Sequence, residues 1–190
     1  MTPQKKIFTN NRRKAEWTGN YGIPRQDHVQ DLVTKFQTAK FKEEKEKIAA
    51  NLANFTYNPY NYAILRQFNV LELYIDCLME PNERLIEFGA SGICYAVTVA
   101  ENARIIADNG GVLVLIGCLS SPVRNTVKYA IEGLYYLLES DCRDRRGILK
   151  AKVVEWIRNK DKADGGGIGF GNLARVLLDE HCANSIAYLF

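Results

Sequence analysis

Two histidines and five cysteines are spread through the 190 residues, and only His181 and Cys182 stand together. The histidines are His28 and His181; the cysteines are Cys77, Cys94, Cys118, Cys142 and Cys182. No pair has C-x-x-C spacing, which excludes a zinc knuckle and a thioredoxin-like redox motif. An odd, scattered set of thiols fits reduced and mostly buried side chains of the cytosol or nucleus, where free cysteine packs as a small hydrophobe. No apolar run approaches the ~18 residues of a membrane span, so no membrane partner is expected. Lys5 and Lys6 have no apolar stretch behind them, so no secretory leader is expected there. Strand signals are scarce too, because no stretch joins period-two alternation to turn dipeptides on both sides. Net charge is only +3, from 25 basic and 22 acidic residues, which is too slight to indicate a nucleic-acid partner. The charge is uneven, however: residues 1–28 carry +4 and the remainder −1. With 47% hydrophobic and 25% charged residues the composition is that of a folded chain, neither disordered nor collagen-like.

Self-similarity is the most informative property present. Leu71, Val112 and Val153 recur every 41 residues, as do Ile75, Ile116 and Ile157. Leu78 matches Leu119, Pro81 matches Pro122, and Leu52, Ile93 and Leu134 take the same step. An earlier unit with Val29, Val33 and Phe36 fits if one extra residue is allowed near Lys40–Phe41. Leu71, Ile75 and Leu78 lie at i, i+4 and i+7, one face of a short helix. Pro81 and Pro122 suit the first turn of the following helix, where a missing N–H costs nothing. Gly89 and Ala130 offer close helix crossings, and Gly110–Gly111 fits a helix stop. The block Lys42–Lys47 reads as a solvated helix face.

Helical units of ~40 residues fall in the HEAT and armadillo range. The fold class expected is all-α: an armadillo-type right-handed α-solenoid of about four repeats with a basic N-terminal arm. The arm covers residues 1–28 and the repeat domain 29–190, in units near 29–70, 71–111, 112–152 and 153–190. Stacked units bury a continuous core and present a long shaped surface as the binding face. If Leu52, Ile93 and Leu134 point inward, Asn54, Tyr95 and Tyr136 lie on another side of the long helices, with Tyr57, Thr98 and Glu139 three residues on. These six residues are the expected protein-binding groove. Grooves that capture extended peptides repeat asparagine here, because its amide both donates and accepts. This chain has asparagine once and tyrosine twice. Tyrosine suits a fixed interface, with an apolar ring and a polar tip.

Several runs then resemble a known family. They are Asn51–Pro59, Asn61–Tyr62, Leu65–Gln67 and Val70–Leu71, then Glu87–Phe88, Gly92–Cys94, Asn109–Val112 and Cys118–Pro122, with Leu32–Gln37 before them. In order and spacing they are similar to the armadillo repeat-containing protein 7 family, over roughly residues 29–140. That resemblance implies a non-catalytic protein of the minor spliceosome in the nucleus, acting in pre-mRNA splicing. Its implied partner is an RRM-type RNA-binding protein, RNA-binding motif protein 48, near the capped 5′ end of a U6-type small nuclear RNA, with other spliceosome proteins. It brings no catalytic residues, cofactor or small-molecule substrate. The other reading is a general armadillo adaptor that binds an extended peptide in its groove.

Two basic stretches are candidate RNA or partner contacts. One is Lys5, Lys6, Arg12, Arg13 and Lys14, followed by Trp17 as a stacking ring. The other is Arg143, Arg145 and Arg146, diluted by Asp141 and Asp144. The glycine-rich run Gly165–Gly171 lacks the Lys-Ser/Thr of a phosphate loop and follows no strand. Cys94 or Cys182 with His181 lacks a third orienting group for nucleophilic catalysis.

Overall fold

Two residues with positive φ mark where the repeat turns. Asn69 (φ 52°) and Gly110 (φ 82°) stand 41 residues apart, and each separates two successive helices. Glycine takes the left-handed region without strain and asparagine tolerates it. The computed structural model describes residues 24–139. Among them are α1 (Arg25–Thr38), α2 (Lys42–Thr56), a 3-10 turn (Pro59–Asn61), α3 (Tyr62–Gln67), α4 (Val70–Met79), α5 (Glu83–Ala96), α6 (Ala100–Asp108), α7 (Gly111–Cys118) and α8 (Arg124–Glu139). No strand occurs among the described residues. The expected fourth unit, the arm before Pro24 and Gly165–Gly171 lie outside them. Helices α3, α4 and α5 form one triplet and α6, α7 and α8 the next. The long helices α2, α5 and α8 pack side by side, with α5 in the middle.

Leu52, Ile93 and Leu134 are fully buried, one on each long helix, as the period requires. Pro81 and Pro122 stand just ahead of α5 and α8 rather than inside the first turn. At α5 an opening N–H is capped by a side chain, Asn82 Oδ1 accepting from Arg84 N at 3.1 Å; ahead of α8, Ser121 Oγ accepts from Val123 N at 3.1 Å, one residue before the helix begins. Lys42–Lys47 is solvated only in part. Lys45 bonds Glu80 at 3.3 Å, and Glu46 accepts from Asn82 at 2.9 Å and Arg84 at 3.2 Å, all in the next unit. The Asn82 bond, helped by Arg84, holds the Glu46 carboxyl below its usual range.

The contacts between units repeat in register. Arg25 Nη1 donates to Asn61 Oδ1 at 3.0 Å, and Arg66 Nη1 to Asn102 Oδ1 at 2.7 Å. Each asparagine is buried and turns its Nδ2 to a carbonyl at the end of the preceding long helix. Asn61 reaches Phe55 O at 2.7 Å and Asn102 reaches Ala96 O at 3.0 Å. Such carbonyls have no partner within their own helix. All three positions step by 41, so the extra residue expected near Lys40–Phe41 is not needed. Val29, Leu32 and Phe36 of α1 align with the buried Val70, Leu73 and Cys77 of α4 at the same step. The sequence signal is Asn20-Tyr21-Gly22-Ile23-Pro24-Arg25-Gln26 against Asn61-Tyr62-Ala63-Ile64-Leu65-Arg66-Gln67, identical at five of seven positions.

Helix α5 approaches α4 through its glycines. A Cβ on Gly89 would meet Tyr74 O at 2.7 Å and Cys77 Cβ at 2.9 Å, and one on Gly92 would meet the Tyr74 ring at 2.6 Å. Tyr74 is fully buried and its hydroxyl lies 2.7 Å from Thr56 Oγ1. Thr56 donates to Leu52 O at 3.2 Å, which leaves Tyr74 as the donor in the hydroxyl pair. Gly89→Ala therefore forces backbone apart, because no flexible side chain is there to yield. Urea denaturation is expected to show a loss of about 1–3 kcal/mol, the usual range for overpacking. Gly117→Ala, where a Cβ meets nothing within 4 Å, serves as the control with no such loss.

Candidate partner-binding face

The side of α2 and α5 away from the buried leucine and isoleucine carries the expected stripe. Asn54 and Tyr57 are exposed, Tyr95 is half-buried and Thr98 is exposed. Tyr57 follows the end of α2, and its ring lies over that of Tyr95 with centroids 4.1 Å apart and planes inclined at 34°. Their hydroxyls meet at 2.6 Å. Tyr129 comes from α8 and sets its ring edge-on to Tyr95 at 6.2 Å. Three phenols from three successive long-helix segments thus form one ladder.

The ladder is held from beneath. Tyr62 OH and Thr98 Oγ1 both donate to Tyr95 O at 2.8 Å, which satisfies a carbonyl at the end of α5. Thr98 thus directs its only proton into the helix end. Tyr136 is exposed on α8 with its ring edge-on to Tyr135 at 5.4 Å. It lies two turns beyond Tyr129 on the same helix. The side chain of Glu139 lies outside the described part of the chain, as do Lys5, Lys6, Arg12, Arg13, Lys14, Trp17, Arg143, Arg145, Arg146, Cys142, His181 and Cys182. Tyr62 and Tyr129 were not among the expected face residues. The Asn-Tyr-x-Ile run points to Tyr62 once the 41-residue register is recognised. Tyr129 sits seven residues before Tyr136, a helical spacing that would have placed it on the same side.

The three phenols of the ladder are themselves neutral. Burial, with hydrogen bonds from Tyr57 and Tyr129, pushes the Tyr95 phenol above its ordinary range. Beside it, Cys94 Sγ donates to Glu132 Oε2 at 3.4 Å, and burial together with that carboxylate pushes the thiol well up. Burial raises Cys77 to about 12 and Cys118 to about 11. The nucleophilic form of a thiol is its thiolate, so these three side chains are held in the unreactive form near neutral pH. Among the described residues no three histidine, cysteine or acidic side chains are grouped to hold a metal ion. No helix among them is long and apolar enough to cross a membrane.

No family model matches the chain. It is 37% identical to armadillo repeat-containing protein 7 of Mus musculus over 164 residues, covering 86% of this chain and 81% of that protein. This chain belongs to the armadillo repeat-containing protein 7 family. The match is longer than the stretch 29–140 marked by the motifs, so family likeness extends into the flanks. Among solved structures, a computationally designed armadillo repeat protein for modular peptide recognition superposes with a TM-score of 0.70 at 15% identity, over 80% of this chain and 63% of that one. A designed armadillo repeat protein in complex with the peptide (KR)4 gives 0.68 at 14% identity, over 83% and 66%. An engineered protein gives 0.68 at 21% identity, over 80% and 61%. The family member thus spans about two thirds or less of each of these solved chains. At such identities they establish the fold, an armadillo α-solenoid, and a repeat scaffold is the architecture it shares with them.

The folded chain holds the Tyr95 proton more tightly than the unfolded chain does. The resulting stability is complete below the ordinary phenol pKa of about 10 and is lost as pH rises through the higher folded value. Tyr95→Phe is expected to flatten the alkaline loss of stability, read as urea midpoints from pH 9 to 12. An unchanged slope contradicts the assignment.

Proposed function

We propose that this family member is a non-catalytic scaffold of the minor spliceosome in the nucleus. Its tyrosine face holds an RRM-type RNA-binding protein, RNA-binding motif protein 48, near the capped 5′ end of a U6-type small nuclear RNA. The observation that carries the reading is the Tyr57–Tyr95–Tyr129 ladder, an aromatic surface built from adjacent units and carrying no charge. Tyrosines at protein interfaces concentrate binding energy. Membership of the armadillo repeat-containing protein 7 family supports a repeat scaffold, and the splicing context is the one that the family resemblance implies. In this reading RNA contact belongs to the partner and to the basic flanks, because phosphate neutralisation needs Lys and Arg.

A second reading is an adaptor for extended peptides. The likeness to designed armadillo proteins, one of them bound to (KR)4, favours it. Against it, the asparagine suited to grip a peptide backbone occurs only at Asn54 among the three equivalent positions. The two readings separate in one experiment. Tagged protein recovered from nuclear extract is expected to bring down splicing proteins and a small nuclear RNA. The pair Tyr57→Ala and Tyr95→Ala should reduce that recovery tenfold or more, roughly the loss of one hot spot of about 1.4 kcal/mol or greater. Asn54→Ala should leave it intact. Recovery without splicing proteins or small nuclear RNA sinks the splicing reading, and dependence on Asn54 supports the peptide reading.

A further inference from the structure

The connection between α7 and α8 carries a sequence pattern that the scaffold role does not use. Ser121-Pro122-Val123-Arg124 has a hydroxyl acceptor, proline at +1 and a basic residue at +3. That is the pattern read by proline-directed protein kinases, which require the acceptor in an irregular, extended segment. Past the turn at Leu119 and Ser120, residues 121–123 form an irregular stretch before α8, with Ser120 and Pro122 exposed and Ser121 half-buried. Thr2-Pro3-Gln4-Lys5 has the same pattern but lies outside the described residues.

Ser121 also joins two units. Its Oγ donates to Glu83 Oε2 at 2.9 Å, at the start of α5, while it caps Val123 N. The neighbouring pair Asn125 Nδ2 to Glu87 Oε1, at 2.8 Å, continues the seam between α5 and α8. We infer that Ser121 is a phosphorylation site for a proline-directed kinase, and that the phosphate opens this seam. In the transfer, Ser121 Oγ bonds to the γ-phosphorus of ATP. The bond from that phosphorus to the β–γ bridging oxygen breaks, ADP leaves, and the hydroxyl proton passes to the kinase's general base. The esterified oxygen has lost its proton, so it can no longer donate to Glu83. The phosphate brings a further −1.5 to −2 charges against that carboxylate. Arg124, three residues on, is an opposing attraction, so the sign of the net effect is itself a test. The inference does not depend on what the tyrosine face binds.

The full chain is treated with ATP and a proline-directed kinase, and phosphate is located by mass spectrometry. Phosphate on Ser121 is expected, to be lost in Ser121→Ala and in Pro122→Ala, which keeps the acceptor hydroxyl, and retained in Ser120→Ala. The phosphorylated chain is expected to melt about 2–4 °C below the untreated chain, the shift that a loss of about 1 kcal/mol gives a protein of this size. Glu83→Gln, which removes the repelling charge, should shrink that difference. Phosphate only on Thr2 or Ser120, or none, overturns the site. An unchanged or raised melting midpoint on phosphorylation of Ser121, or a fall of equal size in Glu83→Gln, overturns the opening of the seam.

Discussion

A buried asparagine amide couples each unit to the one before it. Its oxygen takes an arginine from the preceding unit, and its nitrogen donates to a carbonyl at the end of the preceding long helix. Both ends of the amide are satisfied, so burial carries no penalty for an unmade bond. Hydrophobic packing alone would let neighbouring helices slide, because apolar contact is not directional. The amide has a direction and a length. It sets the 41-residue step, and the rest of the stack, including the meeting of Tyr57 with Tyr95, follows from that step.

Much of this was legible in the sequence and some of it was not. The buried line Leu52, Ile93 and Leu134 was readable because apolar identity at a fixed period has one simple cause, burial on equivalent faces. Gly89 was readable as a close crossing because only glycine leaves the room. The first unit was harder. Val29, Val33 and Phe36 align with apolar residues at a step of 42 as well as nearby residues do at 41, since α4 is buried around most of its circumference. Apolar pattern cannot fix register on such a helix; the polar Asn and Arg positions do. The prolines were misplaced by a residue or two; at α5 Asn82 takes the capping role, because a side-chain oxygen satisfies an N–H where proline can only omit one.

On the candidate face, Tyr57, Tyr95 and Asn54 were readable from helical spacing. Their mutual contact was not, because it joins residues 38 apart, a separation set by how two helices lie against each other rather than by either helix alone. Thr98 stays exposed and has in addition a local role that spacing did not show. From spacing it was a groove residue; in the fold its proton belongs to the end of α5. The family assignment and the solenoid together describe a surface for another molecule, while the buried thiols beside it are chemically passive.

The phenol ladder has an implication for solution behaviour. Neutral rings leave mobile ions nothing to screen, so an association made through them holds from dilute buffer to concentrated salt. Contacts through the lysines and arginines of the flanks would fade steeply over the same range. A complex that uses both would change character with ionic strength, keeping its protein neighbour while shedding nucleic acid.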